Sequence, residues 1–226
     1  MDETAGVNNT IITATLEELK ADTFGVADMS LYDSDLVGIN GRAKEELHFA
    51  VCFGIVLSKT LLDTITDGPT QLYLHHYRQL NYGLDMMGYQ LSREIERKGY
   101  KALPFAASQV VDWRRQRGHI SHKKVGVLAG LGWIGRNNLL VHPVFGSQVR
   151  YNTVLTDMPL TAGRSLDRDC GACRACVNGC PGQAIKEEAE SFDYKGCYEM
   201  IDKLRKERNV GHHICGICVS TCKGER

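Results

Sequence analysis

Two periodicities organise the hydrophobic and polar positions of this chain. Tyr73, Tyr77, Leu80, Leu84, Met87, Leu91 and Ile95 recur at spacings of three and four. They define one face of a long amphipathic helix ending at Gly99, and a stripe of this kind builds core rather than a cofactor box. Residues 48–57, HFAVCFGIVL, form a near-continuous apolar run bounded by charge and Lys59, the pattern of a central strand. Cys52 inside that run reads as a small core residue. IITATLEELK (11–20) reads as a short helix, and KALPFAAS and KKVGVLA as strands. NLLVHP and GSQVRYNTVLTD read as two strands joined around Phe145 and Gly146. Helices beside a mostly antiparallel sheet define an α+β class. Pro, Gly and Ser gather in PLTAGRS, near 159–165, which predicts an α+β domain over 1–160 and a second domain over 161–226.

The composition narrows the class of protein. A chain of 226 residues and 25.1 kDa with 43% hydrophobic and 24% charged residues is long enough to bury a real core, so neither disorder nor a stapled miniprotein is expected. Lys plus Arg and Asp plus Glu both number 27, for a net charge of zero. No global field draws the chain to nucleic acid or anionic lipid, which argues against both as partners. The start, MDETAGVNNT, has neither a basic nor a hydrophobic region, and no run of 18 apolar residues appears; a cytoplasmic protein is expected.

Cysteine placement carries the chemistry. Of nine cysteines only Cys52 precedes residue 165. Clustered cysteines in a reducing compartment hold metal or do redox chemistry more often than they form disulfides. Cys170, Cys173, Cys176 and Cys180, followed by Pro181, form C-x2-C-x2-C-x3-C-P, the bacterial ferredoxin run for a four-iron four-sulfur cluster. In that arrangement the fourth cysteine ligates the other cluster of a pair. A second set follows: Cys197, Cys215, Cys218 and Cys222. The crossing rule assigns Cys170, Cys173, Cys176 and Cys222 to one cluster and Cys180, Cys197, Cys215 and Cys218 to the other. The second set is stretched, with 17 residues between Cys197 and Cys215 and Lys223 where ferredoxins commonly carry proline; a three-iron or labile second cluster stays open. Zinc, which also takes C-x2-C pairs, is the competing metal. Two clusters that consume all eight thiolates make an electron wire, so something else must receive the electrons.

Gly130-Leu131-Gly132-Trp133-Ile134-Gly135 matches G-x-G-x-x-G. A dinucleotide site needs a helix after the third glycine and a βαβ unit, yet Pro143 arrives eight residues later, so a tight structural turn is the competing reading. Upstream, WRRQRGHISHKK groups Arg114, Arg115, Arg117, Lys123 and Lys124 with His119 and His122. It reads either as a solvated loop or as a wall facing anionic groups, with His122 or Lys123 as proton donor.

The string SHKKVGVLAGLGWIGRNNLLVHPVFGSQVRYNTVLTDMPL with CGACRACVNGCPGQAI resembles the core of epoxyqueuosine reductases and reductive dehalogenases, over roughly residues 120–222. The resemblance implies a nitroreductase-like α+β domain holding cobalamin or another corrinoid, fed by a ferredoxin-like double-cluster module. It implies an anaerobic, oxygen-sensitive oxidoreductase with a low-potential donor such as ferredoxin or flavodoxin. By motif position, Gly130, Gly132, Trp133, Arg136, Asn137 and Asn138 would line the corrinoid pocket.

Departures shape the expected substrate. The acidic proton donor of epoxyqueuosine reductases, in an Asp-x-Ala-Pro setting before AGLGW, is replaced by QRGHISHKK, with Asp112 several residues too early. The chain stops four residues after Cys222, without the helical-repeat tail that helps some of those enzymes hold tRNA. It also lacks the twin-arginine signal usual in dehalogenases. Their catalytic tyrosine transfers to no particular residue, although Tyr73 and Tyr77 are available. A small molecule is therefore the expected substrate. Two other readings stand beside this one: a flavin in the nitroreductase-like cleft, or an electron-transfer or corrinoid-handling accessory with no substrate site.

Overall fold

A computed structural model describes residues 3–34, 36–39 and 41–225, with 42–44 by backbone alone. The chain forms two compact units. One comprises Met1–Ile55, Asn81–Leu131 and Arg150–Leu166, the other Val56–Leu80, Gly132–Val149 and Asp167–Arg226. Each is discontinuous in sequence, whereas a single cut between 160 and 161 was expected from the Pro, Gly and Ser cluster. The cysteine-bearing unit borrows two earlier segments to complete itself.

In order, the first unit begins with helix α1 (Glu3–Glu18), strand β1 (Thr23–Asp28), helix α2 (Gly41–Glu46) and strand β2 (Phe49–Val56). Helix α4 (Gln71–Arg97) follows α3 (Lys59–Leu62), and then come strand β3 (Ala102–Pro104), helix α5 (His122–Leu128) and, after the short strands β4 (Trp133–Ile134) and β5 (Leu140–Val141), strand β6 (Val149–Thr156). Four strands make one sheet in the order β1-β2-β6-β3. β1 and β2 are antiparallel with Gly25 opposite Cys52, and β3 and β6 antiparallel with Leu103 opposite Leu155. The apolar run at 48–57 is thus an interior strand, as its continuous hydrophobicity requires.

Period-2 alternation sorts the strands' two faces. Val51, Phe53 and Val154 join Ile12 and Leu16 of α1 and Leu84, Met87, Leu91 and Ile95 of α4 in one core. Burying each such side chain contributes about 1.5–3 kcal/mol. The predicted stripe on α4 therefore does build core. The helix stops where Gly99 takes φ +87° and the Tyr100 amide turns back to Ile95 O at 3.4 Å, a glycine-terminated C-cap.

α1 begins earlier than its sequence pattern suggests, through ETAGVNNT, a stretch poor in strong helix formers. Tertiary bonds hold that turn. Asn8 Nδ2 donates to Pro159 O at 3.0 Å, and Asn9 exchanges bonds of 3.1 and 2.8 Å with the Thr161 backbone.

Two strand expectations change. KKVGVLA is not a strand: residues 123–128 belong to α5 and Ala129 caps its end, because Ser121 Oγ accepts from Lys124 N and starts a helix. Leu140 and Val141 pair with Ile134 and Trp133 rather than with β6. His142 Nδ1 accepts from the amides of Val144 (3.1 Å) and Phe145 (3.4 Å), turning the chain out of β5 before β6 begins.

Candidate metal centre

The cysteine-bearing unit has its own core: Leu57, Leu62, Ile65, Tyr73 and Leu74 against Val210, Ile214 and Ile217. It also holds the three remaining helices, α6 (Ala175–Gly179), α7 (Tyr194–Glu207) and α8 (Ile217–Thr221). α6 and α8 pack on one another. Neither is long enough to be stable alone, so their order depends on this packing. The two are built alike. Cys176 lies within α6 and Cys180 caps its C-terminus; Cys218 lies within α8 and Cys222 caps it. Cys197 sits in the first turn of α7, where Asp193 Oδ1 accepts from Gly196 N at 2.9 Å.

Packing two such helices brings each cap beside the other's interior cysteine. Cys170, Cys173, Cys176 and Cys222 line one cavity of about 330 Å³. Burial pushes the Cys176 thiol up to about 11, and the charges of Cys222, Cys170 and Cys173 add to that rise. Burial likewise holds Cys218 well above the usual thiol range, with Cys215, Cys197, Cys176 and Cys180 contributing. Cys215 is raised by burial and by Cys180. All nine cysteines are free thiols. Among the described residues no three His, Cys, Asp or Glu side chains converge as a single-ion site would require. Four thiols spaced around a cavity instead suit a cluster that spreads its ligands over four irons.

Arg136, expected beside a corrinoid, instead holds this arrangement together with Arg174 and Gln148, which the sequence pattern did not single out. Arg136 donates to Gly171 O (3.0 Å), Cys173 O (3.2 Å) and Glu187 O. Arg174 donates to Gly171 O (2.9 Å) and Cys173 O (3.3 Å) and pairs with Glu187. Two guanidinium groups thus gather the carbonyl oxygens of the loop joining the first two cysteines of the run. Gln148, 2% exposed, donates to Val219 O (3.2 Å) and Ser220 O (3.0 Å) at the end of α8. Arg174 lay in plain sight within the cysteine run; nothing in the pattern of GSQVR marks Gln148.

The six residues expected around a corrinoid divide. Trp133 and Asn137 line the four-cysteine cavity, and the Trp133 indole donates to Cys170 Sγ at 3.5 Å. Asn137 Nδ2 donates to Ser147 Oγ at 3.1 Å. Asn138 Oδ1 accepts from Tyr194 Oη at 3.3 Å. Arg136 serves the cysteine loop, as described. Gly130, at φ +78°, ends α5 with the Leu131 amide bonding to Gly126 O at 2.9 Å; a Cβ there would come within 2.7 Å of Arg164 O. A Cβ on Gly132 would overlap Val141 O across the β4–β5 hairpin. The glycine segment is a helix cap followed by a hairpin, and no helix succeeds its third glycine, which removes the dinucleotide reading.

The basic segment lies in the other unit and is a turn around the Asp112–Arg117 bridge. Asp112 Oδ1 accepts from the amides of Arg114 and Arg115, both at 3.0 Å. Lys124 pairs with Asp33 at 2.9 Å, and His119 Nδ1 lies 2.7 Å from Val37 O. Lys123 is half-buried. The expectation of His122 as proton donor is corrected. Its Nε2 faces Ala106 O at 3.1 Å and so carries the hydrogen, while Nδ1 accepts from Thr153 Oγ1 at 2.9 Å. Burial pushes this imidazole down to about 4; it is neutral and committed to the fold. Cys52 is fully buried, as expected, with its thiol pushed up to about 12 by burial.

No protein-family model matches the chain. It is 30% identical to the epoxyqueuosine reductase of Aliivibrio fischeri over 140 residues, 59% of this chain and 34% of that protein. It is 30% identical to the tetrachloroethene reductive dehalogenase of Sulfurospirillum multivorans over 109 residues, 42% of this chain and 22% of that one. The chain thus spans about a third or less of these relatives. In fold it resembles a catabolic reductive dehalogenase at a TM-score of 0.74 and 20% identity, covering 97% of this chain and 32% of the other. It also resembles an epoxyqueuosine reductase solved with an epoxyqueuosine-modified tRNA stem loop, at 0.60 and 17%, covering 97% and 65%. The resemblance to these two kinds of protein holds in both sequence and fold. Among the described residues no helix is long and apolar enough to cross a membrane.

Proposed function

We propose that the chain is an iron-sulfur oxidoreductase, or the electron-carrying part of one, that holds two four-iron four-sulfur clusters and passes low-potential electrons to a bound corrinoid acting on a small molecule. The observation that carries this reading is the cavity lined jointly by the first three cysteines of the run and the distant Cys222. The crossing rule requires that sharing. The donor set fits: four thiols around one cavity, and four more, Cys180, Cys197, Cys215 and Cys218, in the same unit. When bound, each cluster supplies one-electron chemistry.

The chain's own residues position and insulate. α6 and α8 hold the cysteine pairs in register, Arg136 and Arg174 fix the loop from Gly171 to Cys173, and the apolar group around Ile217 excludes water from the α8 side. The nitroreductase-like and ferredoxin-like descriptions of the two parts belong to the same proposal, as does an anaerobic, cytoplasmic setting with ferredoxin or flavodoxin as donor. The corrinoid rests on the resemblance alone. Of the six residues expected around it, Trp133, Arg136, Asn137 and Asn138 are engaged within the cysteine-bearing unit. No residue here is assigned a role toward that group. Zero net charge supports a small molecule over tRNA.

That engagement favours a second reading, in which the chain transfers electrons to a partner and has no substrate site. One experiment separates the readings: anaerobic expression with cobalamin supplied, then iron, sulfide, cobalt and flavin measured on one sample. About eight irons with near-stoichiometric cobalt supports the corrinoid reductase. The same iron without cobalt or flavin supports the electron carrier, and stoichiometric flavin supports the flavin alternative. Absence of iron and sulfide overturns the reading at its base.

A further inference from the structure

We infer that Trp133 tunes the reduction potential of the cluster held by Cys170, Cys173, Cys176 and Cys222, setting it above that of the same cluster without an indole donor. The inference rests on the proposed clusters and assigns one residue a function toward one of them.

Two contacts converge on this ring. Its Nε1–H donates to Cys170 Sγ at 3.5 Å. The Arg168 guanidinium carbon lies 5.1 Å from the ring centroid, inside cation–π range. Arg168 is itself tied to Glu225, 2.7 Å from Nη2 to Oε1. Trp133, Arg168, Cys170 and Glu225 all border the same four-cysteine cavity. The backbone that carries the ring is set by β4, where Trp133 pairs with Val141 and Gly132 leaves no room for a side chain against Val141 O.

The physical consequence follows from charge. One-electron reduction, with the electron taken from an external low-potential donor, adds a negative charge spread over the cluster and its thiolates. A hydrogen bond to a ligand sulfur stabilises the more negative state and raises the potential. A cation over the indole face withdraws electron density from the ring and strengthens its N–H as a donor. The effect belongs to the cluster of Cys170, since Trp133 touches a ligand of that set.

The test uses the full chain, purified anaerobically with clusters assembled, and an EPR-monitored redox titration of wild type and Trp133→Phe. Phenylalanine keeps an aromatic ring under Arg168 and removes the N–H. The expected result is unchanged iron content, a midpoint potential of one cluster shifted to more negative values, and the other unmoved. An unshifted pair of potentials with full iron content overturns the inference while leaving the clusters standing. If the variant fails to assemble its clusters, a second measurement decides. Wild-type contacts are probed by growing Trp113→Phe, a change in the other unit, on tryptophan labelled with nitrogen-15 in the indole. Hyperfine coupling of that nitrogen to a reduced cluster is expected, and its absence overturns the inference. No iron and no cluster signal in the wild type would overturn both this and the proposed function.

Discussion

The guanidinium of Arg136 donates to the carbonyl oxygen of Cys173 at 3.2 Å, and the same fork reaches Gly171 O at 3.0 Å. Arg174 donates to the same two oxygens. The loop carrying Cys170 and Cys173 is therefore held by its backbone, and the cysteine side chains line the cavity.

Arg136→Met should loosen that loop. Hydrogen bonds to charged groups contribute about 1.5–3 kcal/mol each, and three are removed. The expected outcome is several-fold faster release of iron from the first cluster to a chelator, with the second cluster released at the wild-type rate. Lysine at this position should not restore the wild-type rate, since an ammonium cannot reproduce the planar fork. Equal release from wild type and both variants would mean that Arg174 alone suffices.

Cys222→Ser tests the crossed wiring. Cys222 caps α8 and adds to the charge felt by Cys176, far upstream in sequence. Its loss should damage the cluster of the first run, reducing iron from about eight toward about four per chain, while Cys218→Ser should damage the other. The measurement is iron content together with the paramagnetic signal of each reduced cluster. Survival of the first cluster's signal in Cys222→Ser would show that the four ligands are grouped differently.

What the sequence disclosed, and what it hid, follows from the range of the interactions involved. The stripe from Tyr73 to Ile95 and the apolar run around Cys52 are local periodicities, and both elements lie where those periods indicate. The cysteine spacing is also local, and it pointed to the eight residues that the second unit gathers. KKVGVLA misled because its β-branched residues suit a strand, and the deciding signals were a single serine before it and a glycine after it, Ser121 and Gly130. Arg136 and Gln148 were invisible as supports because their partners are backbone carbonyls, which every residue type offers. The division into units was hidden for a similar reason: residues 56–80 join the cysteines through Tyr73 and Leu74 packing on Ile214 and Ile217, a contact with no local trace.

His122 makes stability depend on pH in a defined window. Its folded value is depressed from 6.5 to about 4 by burial, so the folded chain keeps a neutral ring where the unfolded chain takes up a proton. Stability from this group is fully present above about 6.5 and is lost as pH falls through 4, by at most about 3 kcal/mol. Urea unfolding at pH 7.5 and pH 5 should show a smaller drop in His122→Asn than in wild type. An equal drop in both would mean that the imidazole reaches solvent protons in the folded state.

Tyr151 offers the opposite kind of test, one in which removing a group should help. Along β6, Asn152 faces α4, donating to Leu84 O at 3.1 Å, so Tyr151 and Thr153 face the other side of the sheet. There Tyr151 lies near Cys52, its hydroxyl held far above the usual phenol range by burial first and then by that thiol. The hydroxyl is buried and bonded to nothing among the described residues. A buried polar group without a partner costs about 1–3 kcal/mol, whereas the isosteric apolar ring carries no such penalty. Tyr151→Phe should therefore raise stability by about 1 kcal/mol, visible as a higher denaturation midpoint at unchanged m-value. A loss of stability instead would show that the hydroxyl is bonded in solution, and a bridging water is then the group to look for, with Thr153 as the polar neighbour that β6 supplies on that face.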